Sequence, residues 1–290
     1  LAIGMTAIIW TGIYVQANFR IDRWHEKADR ICNIVLETHI PGSDRFFSTT
    51  TDGPLASVLE ADYPEIERAV RTAFTSLWVQ HEERGFQGSV LIAEPEFFSI
   101  FDFEGVDCDP KASLQEGFSI LITERMVPKF FPDGSPIGKT LTLDGYDVKG
   151  DYTVVGILKD IKYSSLDFEF VISTMATGFL AKAADQWRPG APSRFFRTCV
   201  LLQEGVSPND VESKIQDSIE RYLGPAMAKK HAYRLQPVER AHLYWGRDYH
   251  PSGVGEIDRI LIYVMVACLI LAIACVNYVN LTTARASRRA

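Results

Sequence analysis

Two uncharged apolar stretches, one near each end, govern what this 290-residue chain can become. The later one, ILIYVMVACLILAIACV from Ile260 to Val276, is followed by more uncharged residues as far as Ala284. A helix of roughly 20 apolar residues crosses a bilayer core, and helices buried in soluble proteins rarely run this far without a charge. Residues 259–284 therefore read as a transmembrane helix. Arg259 stands at one end, while Arg285, Arg288 and Arg289 crowd the other, and an excess of Lys and Arg marks the cytoplasmic side. Residues 285–290 are then the start of a cytoplasmic segment, and the large polar region 19–258 lies outside. Asn277, Asn280, Thr282 and Thr283 suit an interface or a partner helix.

The first stretch, LAIGMTAIIWTGIYV, is too short to span alone, and the sequence opens on Leu1 rather than methionine. Residues 1–18 read as a transmembrane helix cut within its length. A secretory signal would show a basic start and a small-residue cleavage site, of which Gln16-Ala17-Asn18 is a weak version. Gly4 and Gly12 would let another helix approach closely.

With four arginines and no acid in residues 259–290, the outer region is more acidic than the whole-chain charge of −7. Nucleic acid is excluded as a partner, since phosphate binding needs clustered Lys and Arg. Cys268 and Cys275 lie in the apolar helix, and Cys32, Cys108 and Cys199 outside it form at most one disulfide. The six histidines lack metal-ligand spacing, so neither a metal nor a cofactor is expected. Gly138-Lys139-Thr140 imitates the end of a phosphate-binding loop, but Asp133 occupies the place of the required earlier glycine, and KTLTLDG leads into a strand pattern rather than a helix. There is no GxSxG elbow, no HExxH helix and no nucleophile and base set. No catalytic residue is assigned, and the chain is not expected to be an enzyme.

Periodicity predicts a mixed outer region. Arg30–His39 alternates as a half-buried strand, Thr51-Asp52-Gly53-Pro54 supplies a cap and first-turn proline for a helix through Ala61, and Pro64 stops that helix. Further strands are predicted at Glu67–Phe74, Gly88–Ala93, Phe118–Thr123, Thr140–Leu143, Tyr152–Leu158, Phe195–Leu202 and Ala232–Pro237. A helix opens at Ser207-Pro208, carries the stripe Val211, Ile215, Ile219, Tyr222 and Leu223, and ends at Gly224-Pro225. The class is α+β, in one domain or two lobes.

The residues also resemble a family. Leu1-Ala-Ile-Gly4, Tyr14-Val-Gln16 and Asp22-Arg-Trp-His-Glu-Lys-Ala-Asp-Arg-Ile31 resemble the first membrane helix and domain entry of MacB/FtsX-type ABC-transporter permeases. Pro64–Glu67, Phe97–Phe101, Ile122–Arg125, Phe131–Thr140 and Tyr152–Gly156 are similar to landmarks of their periplasmic core domain, and Ala274–Arg285 resembles their second membrane helix. One departure stands out: after Asp160, where relatives tend to carry a proline and a Ser-His pair, this chain has Ile161-Lys-Tyr-Ser-Ser165.

The resemblance implies an extracytoplasmic two-lobed α/β domain, a porter-like lobe of βαβ units from about Arg30 to Gln87 and Phe195 to Tyr244, with a second lobe inserted. It implies a permease subunit in the inner membrane, paired as a dimer, with its ATPase on a separate cytoplasmic ABC subunit. ATP-driven helix motion would reach a periplasmic substrate or partner, for export or mechanotransmission, and Arg285, Arg288 and Arg289 would open the segment that engages the ATPase. The same topology also admits a two-helix membrane receptor with an extracytoplasmic ligand-sensing domain.

Overall fold

The strand predicted at Arg30–His39 forms as β1 (Ile31–Thr38), but it is buried on both faces rather than one. Ile31 packs into one apolar cluster while Cys32, Ile34 and Leu36 pack into another. The reason lies in its neighbours. In this computed structural model, which describes residues 2–42, 44–160, 162–186, 194–249 and 254–287, β1 is central, flanked by β10 (Arg194–Leu202) and β11 (His231–Pro237).

The other strands are β2 (Phe46–Ser48), β3 (Thr51–Asp52), β4 (Ile66–His81), β5 (Arg84–Ala93), β6 (Ser119–Thr123), β7 (Thr140–Asp144), β8 (Lys149–Leu158) and β9 (Phe170–Ser173). The helices are α1 (Ala2–Phe19), α2 (Leu55–Asp62), α3 (Phe97–Ile100), α4 (Pro110–Ser113), α5 (Val127–Phe130), α6 (Phe179–Ala184), α7 (Pro208–Leu223), α8 (Pro225–Ala228), α9 (Val238–Tyr249) and α10 (Glu256–Ser287).

Four strands in the order β11-β1-β10-β4 pair antiparallel throughout. Helix α2 connects β1 to β4 and α7 connects β10 to β11, so two βαβ units interleave in the split βαβ arrangement. The stripe read from the sequence explains the packing: Val211, Ile215, Ile219 and Leu223 of α7 join Leu55 and Leu59 of α2 over one sheet face. Tyr222 on that stripe instead lies at the rim, its hydroxyl bonded to Asp62 at 2.9 Å.

Strand β4 is twice as long as its predicted core, and this length builds the second half of the molecule. Its first part pairs with β10, and from Thr72 onward it pairs with β5. The path β4-β5-β9-β6-β8-β7 then returns, because β7 also pairs with β4 at Trp78–Gln80. Six strands thus close into a small barrel filled by side chains such as Leu77, Val90, Ile122, Leu143, Val154 and Phe170. The barrel is inserted between the two βαβ units, but the expected boundary at Gln87 falls inside β5, since β4 runs unbroken through both halves. Arg71 on β4 ties the halves together: it pairs with Glu94 beyond β5 and donates to the carbonyl of Gly53 at 3.2 Å and to that of Ala184. An added Cβ at Gly53 would lie 2.2 Å from the carbonyl oxygen of Ala183, so only glycine fits there.

Two local expectations change. Thr51 and Asp52 do not cap α2; they form β3, and the Thr51 hydroxyl bonds to the carbonyl of Phe196 at 3.1 Å, leaving Pro54 at the cap position. All five cysteines are free, and Cys32 and Cys199 belong to clusters on opposite faces of the sheet, which precludes a bond between them. Gly138 adopts φ 78° and turns the chain into β7, so the GKT tripeptide leads into a strand that begins at Thr140.

At the end of the domain, β11 runs directly into α9, and α10 follows. Among the described residues only α10 has the length and hydropathy of a spanning helix. The first helix, α1, is 18 residues long and packs along it.

Candidate functional site

Between Phe19 and Ile31 the chain passes from an apolar helix into a central strand, and the residues of that passage hold the helix to the barrel. Asp22 sits at φ 59°, a left-handed conformation that a short polar side chain tolerates. Its amide donates to the carbonyl of Tyr163 at 2.8 Å. Its buried Oδ1 accepts from the Ser164 hydroxyl at 3.0 Å and from the Ser165 amide at 2.9 Å. The guanidinium of Arg20 lies 5.8 Å from the Tyr163 ring centre. The loop after β8 is thus the part of the barrel that grips the end of α1.

His25 makes the second grip. Its ring is buried against Trp24, Phe101 and Phe103, at centroid distances of 3.9, 5.1 and 5.5 Å. Nδ1 accepts from the Asp102 amide at 3.1 Å, which places the neutral ring's proton on Nε2. The Asp102 carboxylate in turn accepts from the Glu26 amide at 2.7 Å. Burial holds the His25 pKa below its ordinary value, against a smaller opposing pull from Asp102 and Asp22. Arg30 closes the passage, bonding to Glu67 at 2.9 Å and to the carbonyl of Leu202 at 3.0 Å.

A third grip joins α1 to the other end of the chain. His242 Nε2 on α9 lies 2.8 Å from Asn18 Oδ1, and the Tyr14 hydroxyl bonds to the Glu256 carboxylate. Leu243, Ile257 and Ile260 pack with Tyr14, Val15 and Phe19. At Gly4 an added Cβ would stand 3.2 Å from both Leu271 Cα and Ala274 Cβ, and the Tyr14 and Tyr263 rings meet edge-on at 5.5 Å. The two helices therefore run antiparallel in close contact. Gly12, by contrast, has nothing within 4 Å of where its Cβ would be.

Of the residues assigned to ATPase coupling, Arg285 sits exposed in the last turn of α10, at the end remote from the sheet. Arg288 and Arg289 lie outside the described residues. The structure does not bring Arg285 to the three grips.

The model of the MacB-like periplasmic core domain matches residues 1–218 of this sequence, from α1 through the barrel into α7. The chain belongs to that family. In fold, this MacB-like domain is similar to the crystal structure of a domain of a candidate permease protein from Porphyromonas gingivalis. That likeness has a TM-score of 0.63 at 22% identity and covers 74% of this chain and 92% of the other. The periplasmic region of MacB from Actinobacillus actinomycetemcomitans is matched at TM-score 0.48 and 12% identity, over 76% of this chain and 91% of that one. The extracellular domain of the ABC-type transporter YknZ from Gram-positive bacteria is matched at 0.46 and 14%, over 70% and 99%. A comparison with curated proteins returned no match.

Sequence reasoning singled out both Asp22–Ile31 and Ile161–Ser165, one as a family landmark and one as a departure from it, but did not connect them. The available signal was an acidic residue just past an apolar helix and a Ser-Ser pair after a strand, separated by over a hundred residues of chain. Only the fold shows that they meet.

Proposed function

We propose that this MacB-like domain is the extracytoplasmic part of an ABC-transporter permease, held between two membrane helices, and that it carries ATP-driven motion of those helices to a periplasmic substrate or partner. In this reading residues 1–18 and 259–284 lie in the membrane, residues 19–258 lie outside, and residues 285–290 enter the cytoplasm. The partner ATPase is a separate subunit, the permease works as a dimer in the inner membrane, and Arg285, Arg288 and Arg289 begin the segment that meets the ATPase.

The observation that carries this reading is the joint at Asp22. A lever needs its helices fixed to its body. Here α1 is pinned to the barrel through Asp22 and His25, β11 runs into α9, and α9 and α10 pack against α1 through His242–Asn18, Tyr14–Glu256 and the cluster around Leu243 and Ile257. At ~1.5 Å rise per residue the 32 residues of α10 extend roughly 48 Å, ample for a bilayer core of about 30 Å. The family match favours the permease over the two-helix receptor.

Labelling in intact cells tests the topology. With the native cysteines replaced by alanine, an impermeant thiol reagent is expected to reach a cysteine placed at Ser207 and to miss one at Ser287. The reverse pattern contradicts the reading.

A further inference from the structure

Beside the Asp22 joint lies an open cleft of 860 Å³, lined by Phe19 and Arg20 at the end of α1, by Arg23 and Trp24 in the passage, and by residues of the barrel that include Glu124, Asp160, Lys162 and Tyr163. Its position relative to the helix is fixed: it begins where the apolar residues of α1 stop. On the reading that α1 lies in the membrane, this is the level of the lipid headgroups, where Trp and Tyr concentrate. Trp24 and Tyr163 are both exposed there.

The charges in the cleft are not mutually cancelled. Lys159 pairs with Glu104 and also feels the charge of Glu124, but among the described residues no ion pair engages Arg20, Arg23 or Lys162, nor Glu124 or Asp160; these two carboxylates accept from the amides of Asp160 at 3.1 Å and Arg125 at 2.8 Å, through one oxygen each. Asp102 accepts from the Glu26 amide, and its one ionisable partner among the described residues is the ring of His25, at 3.7 Å, whose charged form burial disfavours. The guanidinium groups of Arg20 and Arg23 instead lie 5.8 and 5.6 Å from the ring centres of Tyr163 and Phe19. Three cations and three carboxylates without ionic partners therefore face one cleft at the foot of an apolar helix.

We propose that this cleft holds the headgroup of a phospholipid whose phosphate is followed by a primary ammonium, as in phosphatidylethanolamine. The phosphate pairs with the guanidinium groups and Lys162, through charge-assisted bonds of the kind arginine makes with phosphate. The ammonium donates to the carboxylates of Glu124, Asp160 and Asp102, beside the face of Trp24. The acyl chains run along α1 past Phe19. A headgroup with phosphate alone brings no cation to the carboxylates and sets an anion facing them. A trimethylammonium head has no proton to donate to them.

Native mass spectrometry of the chain, released from nanodiscs containing equal phosphatidylethanolamine, phosphatidylcholine and phosphatidylglycerol, tests this. Retained phosphatidylethanolamine is expected to exceed either other lipid by about tenfold, the worth of one charge-assisted bond. The double variants R23Q/K162Q and E124Q/D160N are each expected to remove that preference, while R221Q, on the far α7 surface, leaves it. Soluble glycerophosphoethanolamine is expected not to displace the lipid. Equal retention of the three lipids, an undiminished preference in either double variant, or displacement by the soluble headgroup would overturn the proposal while leaving the membrane reading intact. Failure of the chain to enter nanodiscs of any composition would overturn both.

Discussion

The Ser165 amide donates to the Asp22 carboxylate at 2.9 Å across 143 residues of chain, and this contact fixes the end of the first apolar helix to a loop of the barrel. The Ser164 hydroxyl shares the same oxygen. Replacing Asp22 by alanine removes the acceptor of both bonds and puts a residue without a local side-chain hydrogen bond at φ 59°. We expect Asp22→Ala to cost about 2–3 kcal/mol, adding a lost buried acceptor to the strain of the left-handed conformation. Asp22→Asn keeps the acceptor oxygen and tolerates the same φ, so its cost is expected to stay below ~1.5 kcal/mol. Urea unfolding of the two variants in detergent, followed by near-UV circular dichroism, gives the ranking.

His25 makes stability depend on pH. Its folded pKa lies below the ordinary 6.5, chiefly because it is buried, so between those values the unfolded chain binds the proton that the folded chain refuses. Stability therefore rises with pH across that window, and is lost as pH falls below about 6.5 toward the folded value. An unfolding midpoint lower at pH 5 than at pH 7 is expected. His25→Asn, which places an amide oxygen where Nδ1 accepts from Asp102, is expected to flatten this part of the profile; an identical pH profile in the variant would remove His25 as the source.

Much of the architecture is legible before the fold is known, for reasons that differ by element. The α7 stripe works because one face meets the sheet and the other meets water, which is the condition under which helical periodicity shows. β1 is misjudged as half-buried because its outward residues are covered by a second apolar cluster that includes Phe97, Phe101 and Phe168 from other segments. The length of β4 is hidden because its second half curls into a barrel, where Trp78 and Gln80 face outward between buried Leu77 and Val79. The joint is least legible of all: Asp22 and Ser165 carry no shared pattern, and their pairing follows only from the closure of the barrel.

The helix pair allows a contrast between two glycines. A side chain at Gly4 meets Leu271 and Ala274 at 3.2 Å, whereas one at Gly12 meets no atom of this chain. Gly4→Val is expected to force α1 from α10 and to lower the apparent melting temperature in detergent by several degrees, on the scale of ~1–3 kcal/mol for overpacking. Gly12→Val is expected to leave it within error. Equal effects of the two would mean that Gly4 is not a packing contact.

Arg288 and Arg289 distinguish anchoring from coupling. Replacing both by Gln, with Arg285 retained, leaves a positive charge at that end of the helix, the cytoplasmic end in the proposed topology, and so preserves insertion. The coupling role predicts weaker co-purification of the ATPase, or ATP hydrolysis no longer matched by output. Unchanged assembly, hydrolysis and output in a correctly inserted double variant would leave these arginines as anchors alone.

The central claim is that the domain is a lever driven through the Asp22 joint. Tyr146, fully exposed in the turn between β7 and β8, offers a labelling site on the barrel. In the full-length permease assembled with its ATPase in nanodiscs, energy transfer from a dye at Tyr146 to acceptor lipids reports the height of the barrel above the membrane. The account predicts that ATP shifts this transfer in the wild-type protein and that Asp22→Ala loses the shift while still hydrolysing ATP. No ATP-dependent shift in the wild type, or an undiminished one in Asp22→Ala, would contradict it.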